Sequence, residues 1–142
     1  MPHKIYHLNG RSHENDEVIV PRNNYTKIIV HAAPQVAAQF DSLDVNCNTI
    51  TSIQRVTRLT GVDFVNGEDS DYDEVPRWIV HLPALDEIKF CNNNIQEIPD
   101  WLLDSCHNLT VLNISNCQLN GLPHDLFDYN LRNVFLSDNC GE

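Results

Sequence analysis

An internal repeat of about 24 residues is the feature that most constrains how this chain of 142 residues can fold. One copy reads Leu85-x-x-Ile88-x-Phe90-x-x-Asn93-x-Ile95-x-x-Ile98-Pro99, and we number the repeat positions from its first residue. Five copies are recognisable, and they begin at Phe40, Leu59, Leu85, Leu109 and Leu131. In a chain with 42% apolar residues, filling the first three apolar positions of five copies by chance has a probability on the order of one in a million. A repeat unit this short cannot bury an apolar face alone, so neighbouring units must stack and share one core.

The pattern resembles the leucine-rich repeat, whose form is L-x-x-L-x-L-x-x-N/C-x-L. Asn48, Asn93 and Asn139 stand at the ninth position, and Cys117 takes it in the fourth copy. The resemblance implies an α/β fold, namely a leucine-rich repeat solenoid in which about five repeats form a curved parallel sheet. The second copy departs from the pattern: Gly67 stands at its ninth position, and the register returns at Tyr72 after three extra residues.

Elementary geometry agrees with this resemblance. Side chains alternate along an extended strand, so the fourth and sixth positions point to the same, inner face. The asparagine at the ninth position can bond backbone groups that would otherwise be buried without partners. The segments after Pro76, Pro99 and Pro123 are predicted to be short helices on the convex side, because proline suits a first helical turn. Their large apolar side chains are expected to fill the core, and these are Trp78, Trp101 and Phe127.

The first forty residues fit the repeat poorly. Short strand-like runs at Ile5–Leu8, Glu17–Val20 and Lys27–Val30 are separated by polar stretches. We expect a β-rich N-terminal cap in residues 1–39, followed by the repeats in residues 40–142, within a single domain. Alternatively, Tyr25-x-x-Ile28-x-Val30 begins a degenerate extra repeat in residues 25–39.

Charge and cysteine usage restrict the partners and the compartment. Nine basic and twenty acidic residues give a net charge of −11, which repels nucleic acid and anionic membranes. No apolar run approaches the roughly 20 residues that span a bilayer, and the first ten residues lack a signal peptide's apolar core. Five cysteines without a C-x-x-C pair favour free thiols. We therefore expect an intracellular protein, most simply a cytoplasmic one.

Motifs that carry chemistry are incomplete. Asp69-x-Asp71-x-Asp73 resembles the start of an EF-hand loop, but Glu74 and Val80 stand where that loop needs Gly and Glu. His3 and His7 are four residues apart, as in a helical zinc pair, without a third ligand beside them. Nucleophile and phosphate-binding motifs are absent from the sequence. The expectation is a protein that is not an enzyme and that needs no cofactor or metal.

The remaining candidates for function are the variable positions three and five, which point outward on the concave side. Repeat proteins use such extended surfaces for binding, so a non-enzymatic protein-protein interaction module, or scaffold, is the expected function. The predicted partner-binding residues of this face are Asp44, Asp63, Glu87, Lys89, Val111, Asn113, Asn133 and Phe135.

A second reading concerns the C-terminal edge. The fifth copy supplies Leu131, Val134 and Leu136 but no capping segment follows it in this sequence, and bare strand edges are normally covered. These three residues are therefore predicted to contact another chain, in a homo-oligomer or a larger complex. In this alternative the protein is a structural subunit held through its ends and edges.

Overall fold

A computed structural model describes residues 4–9, 17–55 and 59–138 of the chain. This part of the chain is mixed α/β, with two parallel sheets and few helices. Its strands are β1 (Ile5–Asn9), β2 (Glu17–Ile19), β3 (Lys27–His31), β4 (Ser42–Asp44), β5 (Ser52–Arg55), β6 (Phe64–Asn66), β7 (Glu87–Lys89), β8 (Val111–Asn113) and β9 (Asn133–Phe135). Its helices are α1 (Pro34–Ala37), α2 (Asp100–Ser105) and two 3₁₀ helices, Arg77–His81 and Leu126–Asp128.

A six-stranded sheet runs through the repeats in the order β2-β4-β6-β7-β8-β9, and every pair in it is parallel. The register aligns the middle residue of each strand with that of the next. These middle residues point into the core, and they are Val18, Leu43, Val65, Ile88, Leu112 and Val134. The first five are 0–2% exposed, so one apolar row of side chains continues from strand to strand.

The register predicted for the second copy is wrong by three residues. Val65 pairs with Leu43 and with Ile88, so this copy begins at Val62 and not at Leu59. The register error arises because a buried apolar residue also lies three positions before the first residue of a repeat, as Leu82 does before Leu85. A pattern of apolar residues at i and i+3 therefore fits two registers. In the observed register the copy needs no extra residues, and Ser70 stands at its ninth position.

The N-terminal segment adds strands to both sheets. Glu17–Ile19 pairs with Ser42–Asp44 in the six-stranded sheet, and both sheets run across the predicted boundary at residue 39. The three-stranded sheet has the order β1-β3-β5, and Ile28 on β3 pairs with Ile53. Tyr25-x-x-Ile28-x-Val30 therefore contributes to this second sheet and is not a further strand of the six-stranded one.

The buried side chains of both sheets form one apolar core. Within it, Gly67 occupies the sixth position of its copy, and a Cβ atom there would lie 2.3 Å from Cε1 of Phe90. Phe90, at the same position of the next copy, is fully buried, so its ring fills the space that Gly67 leaves. Tyr72 packs edge-on against that ring, with the centroids 5.1 Å apart.

The segments after Pro76, Pro99 and Pro123 contain the predicted helices, and we call the exposed surface of these helices the helical side. Trp78 is buried, as predicted, and its Nε1 donates a hydrogen bond to the Ile50 carbonyl at 2.8 Å. Trp101 is partly buried beneath the Arg77 guanidinium, 5.0 Å from its ring centroid. The prediction for Phe127 is wrong: it is 75% exposed, because the adjacent Leu126 takes the inward position.

Candidate functional site

The candidate site is the outward-facing side of the six-stranded sheet, which we call the open face. It consists of the first and third side chains of the strands, and these are Ile19, Ser42, Asp44, Phe64, Asn66, Glu87, Lys89, Val111, Asn113, Asn133 and Phe135. All of them keep at least partial solvent exposure, whereas the middle residues between them face the core. Period-two alternation therefore separates a solvent-exposed surface from the core along these strands.

The structure places seven of the eight predicted face residues on the open face. Asp63 is the exception, since it lies just before β6, outside the strand. The register slip explains this, and it also explains why sequence reasoning missed Phe64 and Asn66, which take the two outward positions of β6. The pairing of Tyr72-x-x-Val75-Pro76 with Ile95-x-x-Ile98-Pro99 was the signal for the correct register, because it fixes the copy from its far end.

Asp63 belongs instead to a column of carboxylates at the starts of the strands. Asp41 and Asp86 precede β4 and β7 at the equivalent position. Partial burial raises the pKa of Asp63, and the charges of Asp41 and Asp86 raise it further. The next residue of the column is Thr110, whose hydroxyl donates to Asp86 Oδ1 at 2.5 Å. This rim of the open face is thus acidic at the starts of β4, β6 and β7, whereas Arg132 takes the equivalent position before β9.

The centre of the open face holds an ion pair. Lys89 Nζ lies 3.1 Å from Glu68 Oε2, and the hydrogen bond to this carboxylate raises the pKa of Lys89. Cys91 Sγ lies 3.5 Å from the same oxygen, and its burial raises the pKa of the thiol to about 11. The lysine charge is therefore shared with a neighbouring repeat, and the buried thiol is a poor nucleophile at neutral pH.

At the far ends of the strands, a turn recurs at the eighth position. Its residues have φ between 52° and 62°, and they are Cys47, Asp69, Asn92, Asn116 and Asp138. Asparagine and aspartate tolerate this left-handed backbone better than most residues. Asn92 Nδ2 donates to Asp69 Oδ1 at 2.7 Å, and Asn116 Nδ2 donates to Asn92 Oδ1 at 2.6 Å. Asp69 of the Asp69-x-Asp71-x-Asp73 motif therefore belongs to a side-chain ladder.

The predicted role of the ninth-position asparagines is confirmed. Asn93 Oδ1 accepts the backbone N–H groups of Ser70 and Tyr72, and its Nδ2 donates to the carbonyl of Gly67 at 3.0 Å. Asn48 bonds the N-terminal segment in the same way, through Tyr25 N and the Pro21 carbonyl. Cys117 substitutes with its Sγ, 3.3 Å from the Phe90 carbonyl. Asn139 lies outside the described residues.

The predicted C-terminal edge residues lie at the last strand of the six-stranded sheet. Leu131, Val134 and Leu136 are each partly buried. The equivalent residues of the previous copy, Leu109, Leu112 and Ile114, are 2%, 0% and 0% exposed. Phe135, between two of the edge residues, is 49% exposed. Apolar exposure thus rises from the middle of the sheet to this edge.

A groove of about 620 Å³ lies beside the repeats, away from the open face. Its lining is mostly carboxylates and amides, and it includes Glu74, Glu97, Asp100 and the exposed Leu122. In residues 4–9, 17–55 and 59–138, there is no group of three or more His, Cys, Asp or Glu placed to hold a metal ion. The same residues include no helix of the length and apolarity that a membrane crossing requires.

Comparison with solved structures finds weak structural likenesses. No family model and no curated protein matches the chain. A chain in the solved structure of the Toll–Spatzle complex of Drosophila is similar with a TM-score of 0.34 and 16% sequence identity. The alignment covers 84% of this chain and 31% of that chain, so this chain spans about a third of its length.

Proposed function

We propose that this chain is a leucine-rich repeat protein that acts as a non-enzymatic protein-protein interaction module, with its partner bound on the open face. The observation that carries the proposal is the open face itself. Six parallel strands present two rows of partly exposed side chains on a sheet whose opposite side is core. Rigid strands hold these side chains at fixed spacing, which suits recognition of an extended protein surface.

The charged and apolar side chains of the open face indicate which chemical groups the partner presents. Asp44 on β4, together with Asp41 and Asp63 at the strand starts, favours basic groups, and Phe135 on β9 favours an apolar contact. The net charge of −11 argues against nucleic acid and anionic lipid as ligands. The odd cysteine count without a C-x-x-C pair supports an intracellular, reducing location, most simply the cytoplasm.

The test begins with the partner captured by co-purification and cross-linking mass spectrometry, and it then uses two matched pairs of variants. Phe135→Ala removes an aromatic side chain on the open face, and Phe127→Ala removes an exposed one on the helical side. We expect Phe135→Ala to weaken binding about tenfold or more, since truncating an interface hot spot costs about 2 kcal/mol or more. Phe127→Ala should leave the affinity unchanged.

The second matched pair of variants reverses the charge of an aspartate. Asp44→Lys changes the open face, and Asp128→Lys changes the exposed helical side. Only Asp44→Lys should weaken binding, and more so at low ionic strength. Affinities that are equal for both members of both pairs, with the circular dichroism unchanged, would reject recognition by the open face.

A second function, as a structural subunit held through its edge, is favoured by the apolar exposure at β9. Leu131, Val134 and Leu136 would then be covered by a second copy or a neighbouring subunit. Light scattering and hydrogen exchange test this alternative together. We expect an oligomer in which the amides of β9 are protected like those of β8. A monodisperse monomer with equal protection of the two strands would overturn it, because the edge would be stable alone.

A further inference from the structure

Two histidines lie side by side on the outer face of the three-stranded sheet. His7 on β1 is paired with Ile29, and His31 on β3 is paired with Asn9, so the two side chains are diagonal neighbours on one face. Both are exposed, and His7 Nδ1 lies 3.3 Å from His31 Nε2. The ring planes differ by only 10°, with centroids 5.5 Å apart. Two imidazoles 24 residues apart in sequence thus direct ring nitrogens at each other.

We propose that His7 and His31 form a two-histidine site for a divalent transition-metal ion. Metal–imidazole bonds of about 2.0–2.1 Å place two nitrogens of one coordination sphere about 3.0–3.4 Å apart. The observed separation of 3.3 Å falls in this range. Because both rings are exposed, small rotations about their side-chain bonds bring the two lone pairs onto one ion, and water completes the coordination.

The protonation chemistry of the pair suits a metal. In the hydrogen-bonded pair, one nitrogen carries the proton and the other accepts it. A metal ion binds both lone pairs instead, and the ring that donated the hydrogen bond then carries its proton on its other nitrogen. Binding weakens as the pH falls, because protons compete with the ion for the imidazole lone pairs. Imidazole ligands select Zn²⁺, Cu²⁺ and Ni²⁺ over Mg²⁺ and Ca²⁺.

Metal binding at His7 and His31 is expected to stabilise the fold, because the two residues lie on neighbouring strands. Strand β1 lies at the end of the three-stranded sheet, and β3 is its partner there. A metal held by His7 and His31 joins these two strands through their side chains, in addition to their backbone ladder. Since the ion binds the folded arrangement better than the unfolded chain, it stabilises the fold by mass action. The sequence analysis considered His3 and His7 as a pair with helical spacing. His7 lies on a strand, so that spacing does not apply, and His3 is outside the described residues.

Titration with Ni²⁺ tests the site, because Ni²⁺ binds imidazole and competes less for the free thiols than Zn²⁺ does. The variants are His7→Gln and His31→Gln, and His81→Gln is the matched control at an exposed histidine of the 3₁₀ helix. Calorimetry should show that either site variant weakens Ni²⁺ binding about tenfold or more, since the second imidazole acts at high effective concentration. The control should bind like the unmodified protein.

Thermal unfolding gives the second readout. Ni²⁺ should raise the unfolding midpoint of the unmodified protein and of His81→Gln, but not of His7→Gln or His31→Gln. The other histidines are present in both site variants, so their contribution is common to the comparison. Unchanged affinity in either site variant, or an equal loss in the control, would overturn the proposal, because the pair would then not be the ligand.

Discussion

The ninth-position asparagines show how one side chain can satisfy several buried backbone groups. Asn93 is 4% exposed, and it bonds backbone atoms of its own turn and of the preceding one. Among neutral side chains, only asparagine and the longer glutamine offer two N–H donors and a carbonyl acceptor in one plane. This role was predictable from the repeat, because the position recurs where each strand turns.

Replacing Asn93 with alanine should therefore lower the free energy of unfolding by about 3 kcal/mol. The change leaves the N–H groups of Ser70 and Tyr72 and the carbonyl of Gly67 without this partner, and each unsatisfied buried group costs about 1–3 kcal/mol. Urea unfolding measures the effect. Asn94→Ala, at the adjacent exposed position, is the control and should change stability by less than about 0.5 kcal/mol. Equal effects of the two changes would contradict the role of Asn93.

The contact of Gly67 with Phe90 was not predictable at the residue scale. A glycine at a position usually filled by an apolar side chain looks like a break in the pattern. Only the register between β6 and β7 shows that the large ring of one copy compensates for the missing side chain of another. Single-sequence patterns report which positions are buried, but they do not report which neighbour fills which space.

At the scale of elements, the predicted strands differ in how strongly the sequence marks them. Strands β7, β8 and β9 follow the full pattern and were placed correctly. Strand β2 was predicted as part of a cap because its segment fits the repeat poorly, and within the strand only Val18 matches an apolar repeat position. Its place beside β4 is decided by tertiary pairing, since a three-residue strand carries too little local pattern to fix its sheet.

The aspartate column at the strand starts predicts a pH effect. The pKa of Asp63 is raised above 3.8, so the folded state holds this proton more tightly than the unfolded chain does. Its charge therefore disfavours folding above the folded pKa, and this cost disappears as the pH falls through that value. Asp63→Asn should raise the free energy of unfolding at pH 7 by no more than about 0.5 kcal/mol, because solvent screens this exposed group.

Chemical denaturation at pH 7 and near pH 3 checks the sign. The stabilisation by Asp63→Asn should shrink at the lower pH, where Asp63 itself is protonated. Asp128→Asn, at an exposed site on the helical side, controls for the change in net charge. A destabilised Asp63→Asn protein at pH 7 would show that the carboxylate makes a favourable contact that outweighs the repulsion.

For the whole molecule, the core extends as one cluster through both sheets and shields most of the thiols. Cys91, Cys106 and Cys117 are buried, whereas Cys47 is partly exposed, and all four are reduced thiols. Burial raises the pKa of Cys106 to about 11 and also raises the pKa of Cys117. A single core of this kind was predictable from the repeat, because stacked units must share their apolar faces.

Thiol labelling should follow this burial. In native buffer at pH 8, Cys47 should react with a disulfide reagent well before Cys91, Cys106 and Cys117, which should react only as the chain unfolds. Under denaturing conditions without reductant, alkylation should label all five cysteines. Mass spectrometry of digested protein identifies the labelled sites. Rapid native labelling of Cys106, or two missing labels after denaturation, would contradict the buried, reduced state.

The asparagine bonds also have a direction. Asn48 reaches back to Pro21 and Tyr25, and Asn93 reaches back to Gly67 and Tyr72, so in each case the earlier part of the chain supplies the cross-repeat partners. During synthesis the ribosome releases the earlier part first. Each new turn can therefore dock on atoms that have already emerged, and the sheet can grow in the order in which the polypeptide is made.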